Sequence, residues 1–195
     1  MFYVTKTTKV TFEEKKSKFI AYLSPFENFD NLMKELKKEY PKARHFVYAY
    51  RYLNEFDQIV ENSSDDGEPK GTSGKPTLNT LIGAELINSC VIIVRFFGGI
   101  KLGTGGLVRA YTKASNLSIQ ESKLLTYQKL FNNKIFVKYP DLGTIEYQLE
   151  QFDIKTINKN FIANGVELTI ESTKEKIQKF QEENNRLLNI LLNSG

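Results

Sequence analysis

The sequence of 195 residues contains one cysteine, Cys90, and one histidine, His45. A lone cysteine forms no intrachain disulfide, and one Cys with one His cannot assemble a zinc site, so a secreted disulfide scaffold and a zinc finger are excluded. Long apolar runs are missing as well. The run at residues 90–94 falls far short of the roughly 20 residues that a membrane-spanning helix needs. The opening Met1-Phe2-Tyr3 does not resemble a signal peptide. The expectation is a cytoplasmic protein with no membrane partner. Charge of one sign is also scarce: 27 Lys+Arg against 23 Asp+Glu leave +4, too little by itself to argue nucleic-acid binding. The 41% hydrophobic content is that of an ordinary globular chain, with room for one large domain or two small ones and a core that needs neither disulfide nor metal.

The weak charge is unevenly placed. Residues 1–127 hold 18 Lys+Arg and 14 Asp+Glu, whereas residues 128–195 hold nine of each. Glu55, Asp57, Glu61, Asp65, Asp66 and Glu68 form a stretch without a base, and residues 91–113 carry Arg95, Lys101, Arg109 and Lys113 without an acid. Either the basic segment meets an anionic partner, or the two stretches face each other in the fold and neutralise one another.

Periodicity organises the chain into elements. Residues 10–12 and 19–23 read as a hairpin or one bent strand that Pro25 stops. Phe29, Leu32, Met33, Leu36 and Tyr40 have helical spacing and Pro41 closes that segment; residues 45–53 read as a strand, followed by a long acidic loop running to Pro69. The spacing predicts a helix with Pro76 at its first position, ending near Asn88, and a centrally placed strand over residues 91–97. A glycine loop follows, and then a helix to about residue 125 with Thr104 as candidate cap. After residue 130 the pattern changes. A strand at 131–139, a helix at 141–152 capped by Asp141, strands at 154–160 and 166–171 around Ala163-Asn164-Gly165, a helix at 173–185 and a closing strand at 187–192 give the order of a ferredoxin-like domain. Two domains are expected, 1–128 and 131–195.

Nine of the twelve glycines, Gly67, Gly71, Gly74, Gly83, Gly98, Gly99, Gly103, Gly105 and Gly106, fall in one forty-residue window. Such loops let backbone N–H groups approach a ligand, and Arg95, Lys101 and Arg109 bracket the second loop, so phosphate or a nucleic-acid backbone is the natural ligand. Glycines that merely permit tight turns are the alternative. A P-loop would need glycine at 69 and Ser or Thr at 76, which are Pro69 and Pro76; a dinucleotide fingerprint would need Gly or Ala at 108, which is Val108. Both are rejected. Asp65, Asp66 and Glu68 would suit a hard cation or acid/base work, or else cap the next helix or pair with Lys75 or Arg95. His45 is read as a hydrogen-bonded strand residue before a base, and Cys90 as a buried inert thiol; no G-x-S-x-G supports a hydrolase.

Asp65-Asp66-Gly67-Glu68-Pro69-Lys70-Gly71-Thr72-Ser73-Gly74-Lys75-Pro76, then Arg95-Phe96-Phe97-Gly98-Gly99-Ile100-Lys101-Leu102-Gly103 and Gly105-Gly106-Leu107-Val108-Arg109-Ala110-Tyr111, resemble the signature of the IMPACT/YigZ family. Lys16 to Ile20 and Ala43-Arg44-His45 also match. The departures are Ser73, where alanine is usual, and Phe96, where tyrosine is usual and whose hydroxyl is therefore missing. The resemblance implies an α+β protein: an N-terminal domain with the fold of ribosomal protein S5 domain 2, and a C-terminal ferredoxin-like domain similar to the last domain of elongation factor G. It further implies a link to translation, since eukaryotic relatives that share the first domain act in translational control under amino-acid starvation, although they carry a partner-binding domain that does not match here.

The sequence is therefore read as a non-enzymatic RNA- or ribosome-binding protein with a role in translation or its regulation, with no cofactor and no metal implied. Arg95, Lys101, Arg109 and Lys113 would contact phosphates, beside Gly98, Gly99, Gly103, Gly105 and Gly106. The signature loop would be shaped by Gly67, Pro69, Gly71, Thr72, Gly74 and Pro76. The alternative is a phosphate- or metal-dependent enzyme using Asp65, Asp66 and Glu68, with His45 as a further catalytic candidate, beside the 98–106 loop. A basic protein partner docking at residues 55–68 is the third reading.

Overall fold

Alternating half-buried residues and short turns build the first part of the chain into strands, and the computed structural model describes residues 1–190. Two units, Met1–Tyr127 and Gln128–Gly195, each enclose their own core. Both mix helices with an antiparallel sheet, giving a two-domain α+β protein.

In the first unit the strands are β1 (Phe2–Tyr3), β2 (Thr8–Glu14), β3 (Ser17–Pro25), β4 (His45–Leu53), β5 (Ile59–Ser64), β6 (Ser89–Phe96) and β7 (Leu125–Thr126). The helices are α1 (Phe29–Glu39), α2 (Gly74–Gly83) and α3 (Gly103–Gln120). Five strands form one antiparallel sheet in the order β2-β3-β6-β4-β5, while β1 pairs with β7. The apolar run in β6 is central because both of its faces are covered. Ile92 and Val94 pack with Ile20, Tyr22, Phe46 and Leu36 of α1 on one side. Val91 and Ile93 pack with Phe19, Leu23, Val47, Leu78, Leu81 and Tyr111, from sheet, α2 and α3, on the other.

Several expectations change here. The acidic stretch is not wholly loop: Ile59–Ser64 pairs with β4 from Leu53↔Ile59 to Tyr48↔Ser64. Asn54 makes this hairpin possible, its side-chain oxygen accepting from the Phe56 and Gln58 amides, both at 2.9 Å. Pro76 lies in the third helical position rather than the first, since α2 begins at Gly74, and α2 ends at Gly83 rather than near Asn88. Leu102 occupies the cap position of α3, with no side-chain cap, so Thr104 falls in the first turn; the helix stops at Gln120. The β2–β3 turn is Lys15-Lys16, both with positive φ, 46° and 64°, the geometry of a two-residue hairpin turn built without glycine or asparagine.

The second unit contains β8 (Phe131–Val137), α4 (Leu142–Gln151), β9 (Lys155–Ile162), β10 (Gly165–Ser172), α5 (Lys174–Glu183) and β11 (Asn189–Ile190). Its sheet order, β11-β8-β10-β9, is antiparallel throughout and its element order is that of a ferredoxin-like fold. The part of the expected closing strand beyond residue 190 lies outside the described residues. Asp141 occupies the cap position of α4 without a side-chain bond, whereas Thr173 caps α5 by accepting from the Lys176 amide at 3.4 Å. The β9–β10 turn is Ala163-Asn164, and Gly165 already pairs with Ile162. Gly165 is required by proximity instead of by φ: a Cβ there would collide with the Val137 carbonyl and the Phe136 ring.

Ile93 is fully buried between the sheet and two helices. Ile93→Ala is expected to lower stability by about 2–5 kcal/mol, whereas exposed Ile157 truncated to Ala should stay within about 0.5 kcal/mol, both measured by urea denaturation.

Candidate functional site

The loop from Ser64 to α2 is organised by its own carboxylates. Asp65 Oδ1 accepts from the Ser73 amide at 3.0 Å, the Ser73 hydroxyl at 2.7 Å and the Gly74 amide at 2.8 Å; Oδ2 accepts from the Gly71 amide at 2.7 Å. Burial works to raise the Asp65 pKa, but these four donors outweigh it and hold the carboxyl below the ordinary aspartate value. Ser73, in place of the family's usual alanine, therefore adds a donor to this knot. Asp66 accepts from the Phe46 amide at 2.6 Å, and its carbonyl accepts from His45 Nδ1–H at 2.9 Å. Both contacts tie the loop to the start of β4.

Glu68 turns inward. Its Oε1 accepts from Arg95 at 2.5 Å and from the Tyr111 hydroxyl at 2.8 Å, and both charged side chains are almost fully buried, 4% and 6% exposed. Arg95 also reaches the Ser17 hydroxyl at 3.4 Å, which accepts in turn from the Gly98 amide at 3.3 Å. Burial and the adjacent Glu68 carboxylate push the Tyr111 pKa up, so its phenol stays protonated and donates. This cluster joins the 65–73 loop, β6, α3 and β3. It also removes Arg95 from the phosphate-contacting set, because its charge is consumed inside the protein.

The remaining residues sort by exposure. Gly98 serves packing, since a Cβ there would collide with the Lys16 and Ser17 backbone; Gly74 likewise, with a Cβ 2.7 Å from the Ser64 carbonyl carbon. Gly67, Gly71, Gly99 and Gly103 have φ between 70° and 85°, where a side chain is strained. Pro69 is exposed, its carbonyl accepting from the buried Thr72 hydroxyl at 2.6 Å, while Pro76 is buried in α2. Lys101, Gly105, Arg109 and Lys113 are exposed. Arg109 and Lys113 line a cavity of about 240 Å³ with Phe12, Glu14, Lys15, Leu102, Gly106 and Ala110. Lys15 was not singled out by the sequence, although it lies in a visibly basic run. A second cavity, of about 320 Å³, lies at the ends of β4 and β6 and takes in Lys42, Arg44, His45, Arg95, Phe96 and Phe97. Neither cavity includes a residue of the 65–73 loop. Cys90 is buried and its thiol pKa is pushed up to about 12 by burial, so it is inert at neutral pH. No group of three or more His, Cys, Asp and Glu side chains suited to a metal ion occurs among the described residues.

Of the stretch offered to a basic partner, Glu61 pairs with Arg51 at 2.7 Å, Asp65 and Asp66 hold backbone amides, and Glu68 is internal. The acidic and basic stretches thus do meet in the fold, at Glu68 and Arg95.

Residues 15–119 match the profile of the Impact N-terminal domain, and residues 135–183 match a domain of unknown function, DUF1949. The chain belongs to the IMPACT family. It is 36% identical over 188 residues to an IMPACT family member of Haemophilus influenzae, covering 93% of this chain and 90% of that one. It is also 36% identical over 154 residues to the IMPACT family member YigZ of Escherichia coli, covering 77% and 76%. A crystal structure of a hypothetical protein superposes with a TM-score of 0.67 at 31% identity, over 100% of this chain and 98% of that one. The IMPACT profile spans both signature loops, so the Asp65 knot and the Glu68–Arg95 pair lie within the family's shared domain.

Two stability experiments follow from this geometry. Glu68→Leu should cost about 3–5 kcal/mol by leaving the Arg95 guanidinium buried without its counter-charge. Combined with Arg95→Met it should cost less than the two single changes summed, read as a double-mutant cycle in urea. Asp65→Asn should cost about 1.5–3 kcal/mol at neutral pH. Because the folded-state pKa lies below that of the unfolded chain, the stabilisation is complete above about pH 4 and is lost as the pH falls through the lowered value. The stability difference between the two proteins should therefore shrink on acidification.

Proposed function

We propose that this IMPACT family protein binds RNA, free or in the ribosome, and acts in translation or its regulation without catalysing a reaction itself. The observation that carries the reading is the set of cations around the start of α3. Lys15, Arg109 and Lys113 line a concave surface with one carboxylate, Glu14, among the lining residues, and Lys101 is exposed on the adjoining loop. None of the four bases takes part in an ion pair among the described residues; Lys113 instead rests over the Phe12 ring at 4.9 Å. The N-terminal amides of α3, an 18-residue helix beginning at Gly103, add the positive end of its dipole to the same surface. Phosphodiester is the chemistry that such a surface recognises, by charge rather than by sequence.

The link to translation is supported by the family's eukaryotic relatives, as the signature implies. The enzyme reading draws no support from the loop chemistry, since Asp65, Asp66 and Glu68 all have protein donors of their own. Arg95 is withdrawn from the contact set and Lys15 joins it.

Fluorescence anisotropy with single- and double-stranded RNA tests the proposal. Affinity should fall steeply with salt, and Lys101→Glu or Lys113→Glu should each weaken binding several-fold while lowering the log–log salt slope by about one. Undetectable, salt-insensitive or mutation-insensitive binding would reject it.

A further inference from the structure

We propose that the cavity at the ends of β4 and β6 is a nucleotide pocket, in which Lys42 and Arg44 hold a phosphate group, His45 accepts from a ligand hydroxyl and Phe97 carries the base. This site is separate from the cation surface on α3, and its lining differs from that surface in every residue.

Four observations converge on it. First, none of the six lining residues is acidic, and two of them, Lys42 and Arg44, are cations; the charge of Arg95 is already spent on Glu68. Lys42 and Arg44 are exposed, and neither side chain makes a hydrogen bond or ion pair among the described residues, so their charge is available to an anion. Secondly, Arg95 is 6% exposed, and its Nε–H is the one buried side-chain donor or acceptor without a partner among the described residues. Its other nitrogens are taken by Glu68 and Ser17. A buried N–H at the cavity wall that lacks an acceptor is a polar group that a ligand oxygen seated in the cavity would satisfy.

Thirdly, His45 is held in one tautomer. Its Nδ1 faces the Asp66 carbonyl at 2.9 Å, and a carbonyl only accepts, so the proton sits on Nδ1 and Nε2 offers the cavity a lone pair, which accepts from a ribose or phosphate hydroxyl. The Asp66 knot thus presets the ring. Fourthly, Phe97 is 56% exposed and lines the same cavity. Its ring lies 5.8 Å from the Arg95 guanidinium carbon, which places a flat apolar face beside the phosphate-binding groups. Cations beside an exposed aromatic face are the pairing that a phosphorylated heterocycle needs. The volume, about 320 Å³, is at the lower end of small-ligand sites, which suits one nucleotide and excludes a duplex.

The ligand chemistry has two sources, a free mononucleotide or the phosphorylated end of an RNA strand, and the test separates them. Titration calorimetry on the full chain with AMP and UMP should show saturable binding, tighter than that of inorganic phosphate or adenosine. Arg44→Glu should weaken it at least about tenfold. Phe97→Ala should weaken nucleotide binding about tenfold while leaving inorganic phosphate unchanged. Both side chains are exposed, and melting temperatures check that the variants fold. Lys101→Glu should leave nucleotide affinity unchanged, which separates this pocket from the RNA surface on α3. In the second arm, an oligoribonucleotide with a 5′-phosphate should bind more tightly than its 5′-hydroxyl form, with the difference lost in Arg44→Glu, if the source is an RNA end. Saturable mononucleotide binding without that difference assigns the free nucleotide. Absence of both effects, or persistence of both in Arg44→Glu, would overturn the pocket.

Discussion

The buried pair of Glu68 and Arg95 is the constraint on which the first unit's loops depend. Two opposite charges withdrawn from water are tolerable only together and only with further hydrogen bonds, which Tyr111 and Ser17 provide. Each partner belongs to a different element: Glu68 to the loop before α2, Arg95 to β6, Tyr111 to α3 and Ser17 to the first position of β3. None of these elements can shift without exposing a charge to an apolar surround that includes Phe19, whose ring lies 5.4 Å from the Arg95 guanidinium carbon. Fixing Glu68 fixes the loop, and the Asp65 knot three residues earlier then fixes where α2 begins.

The same constraint explains the glycines. Gly98 must lie against the Lys16–Ser17 backbone for its amide to reach the Ser17 hydroxyl, and any side chain there would be expelled by that contact. Gly74 must let the first turn of α2 approach Ser64 closely enough for its amide to reach Asp65. These glycines are demanded by distance. Gly71, Gly99 and Gly103 are demanded by φ instead, with open space around them. Clustering of glycine in the chain therefore reflects two separate geometric requirements more than one phosphate cradle, and the ligand argument has to rest on the cations.

Much of the architecture was legible because its signals are local. The double-sided apolar run of β6, the helical spacing of α1 and the β-α-β-β-α-β order of the second unit each need only a short window of sequence. What escaped is set by tertiary contact. β5 carries polar Asn62, Ser63 and Ser64 and becomes a strand because β4 offers it an edge. Lys15-Lys16 adopts a turn geometry that composition assigns to Asn-Gly, whereas the Asn-Gly at 164–165 is displaced by one position because Gly165 is needed against Val137. At the site, charge counting located the basic segment but could not distinguish Arg95, spent on Glu68, from Lys113, which faces solvent. That distinction depends on burial, which two residues of like charge in one segment do not reveal.

Burial also changes what the net charge means for recognition. The acids of the signature loop keep their formal charge, but Asp65 and Asp66 point theirs at backbone amides and Glu68 points its own into the core. Lys15, Lys42, Arg44, Lys101, Arg109 and Lys113 remain in water and have no such partners among the described residues. A ligand approaching the glycine-loop end of the sheet therefore meets a field more positive than the composition suggests. Fields of this kind act on association through the charges that face the solvent rather than through the chain total. The sign of that field follows from the folding of the loops, which has already consumed the nearby negative charge.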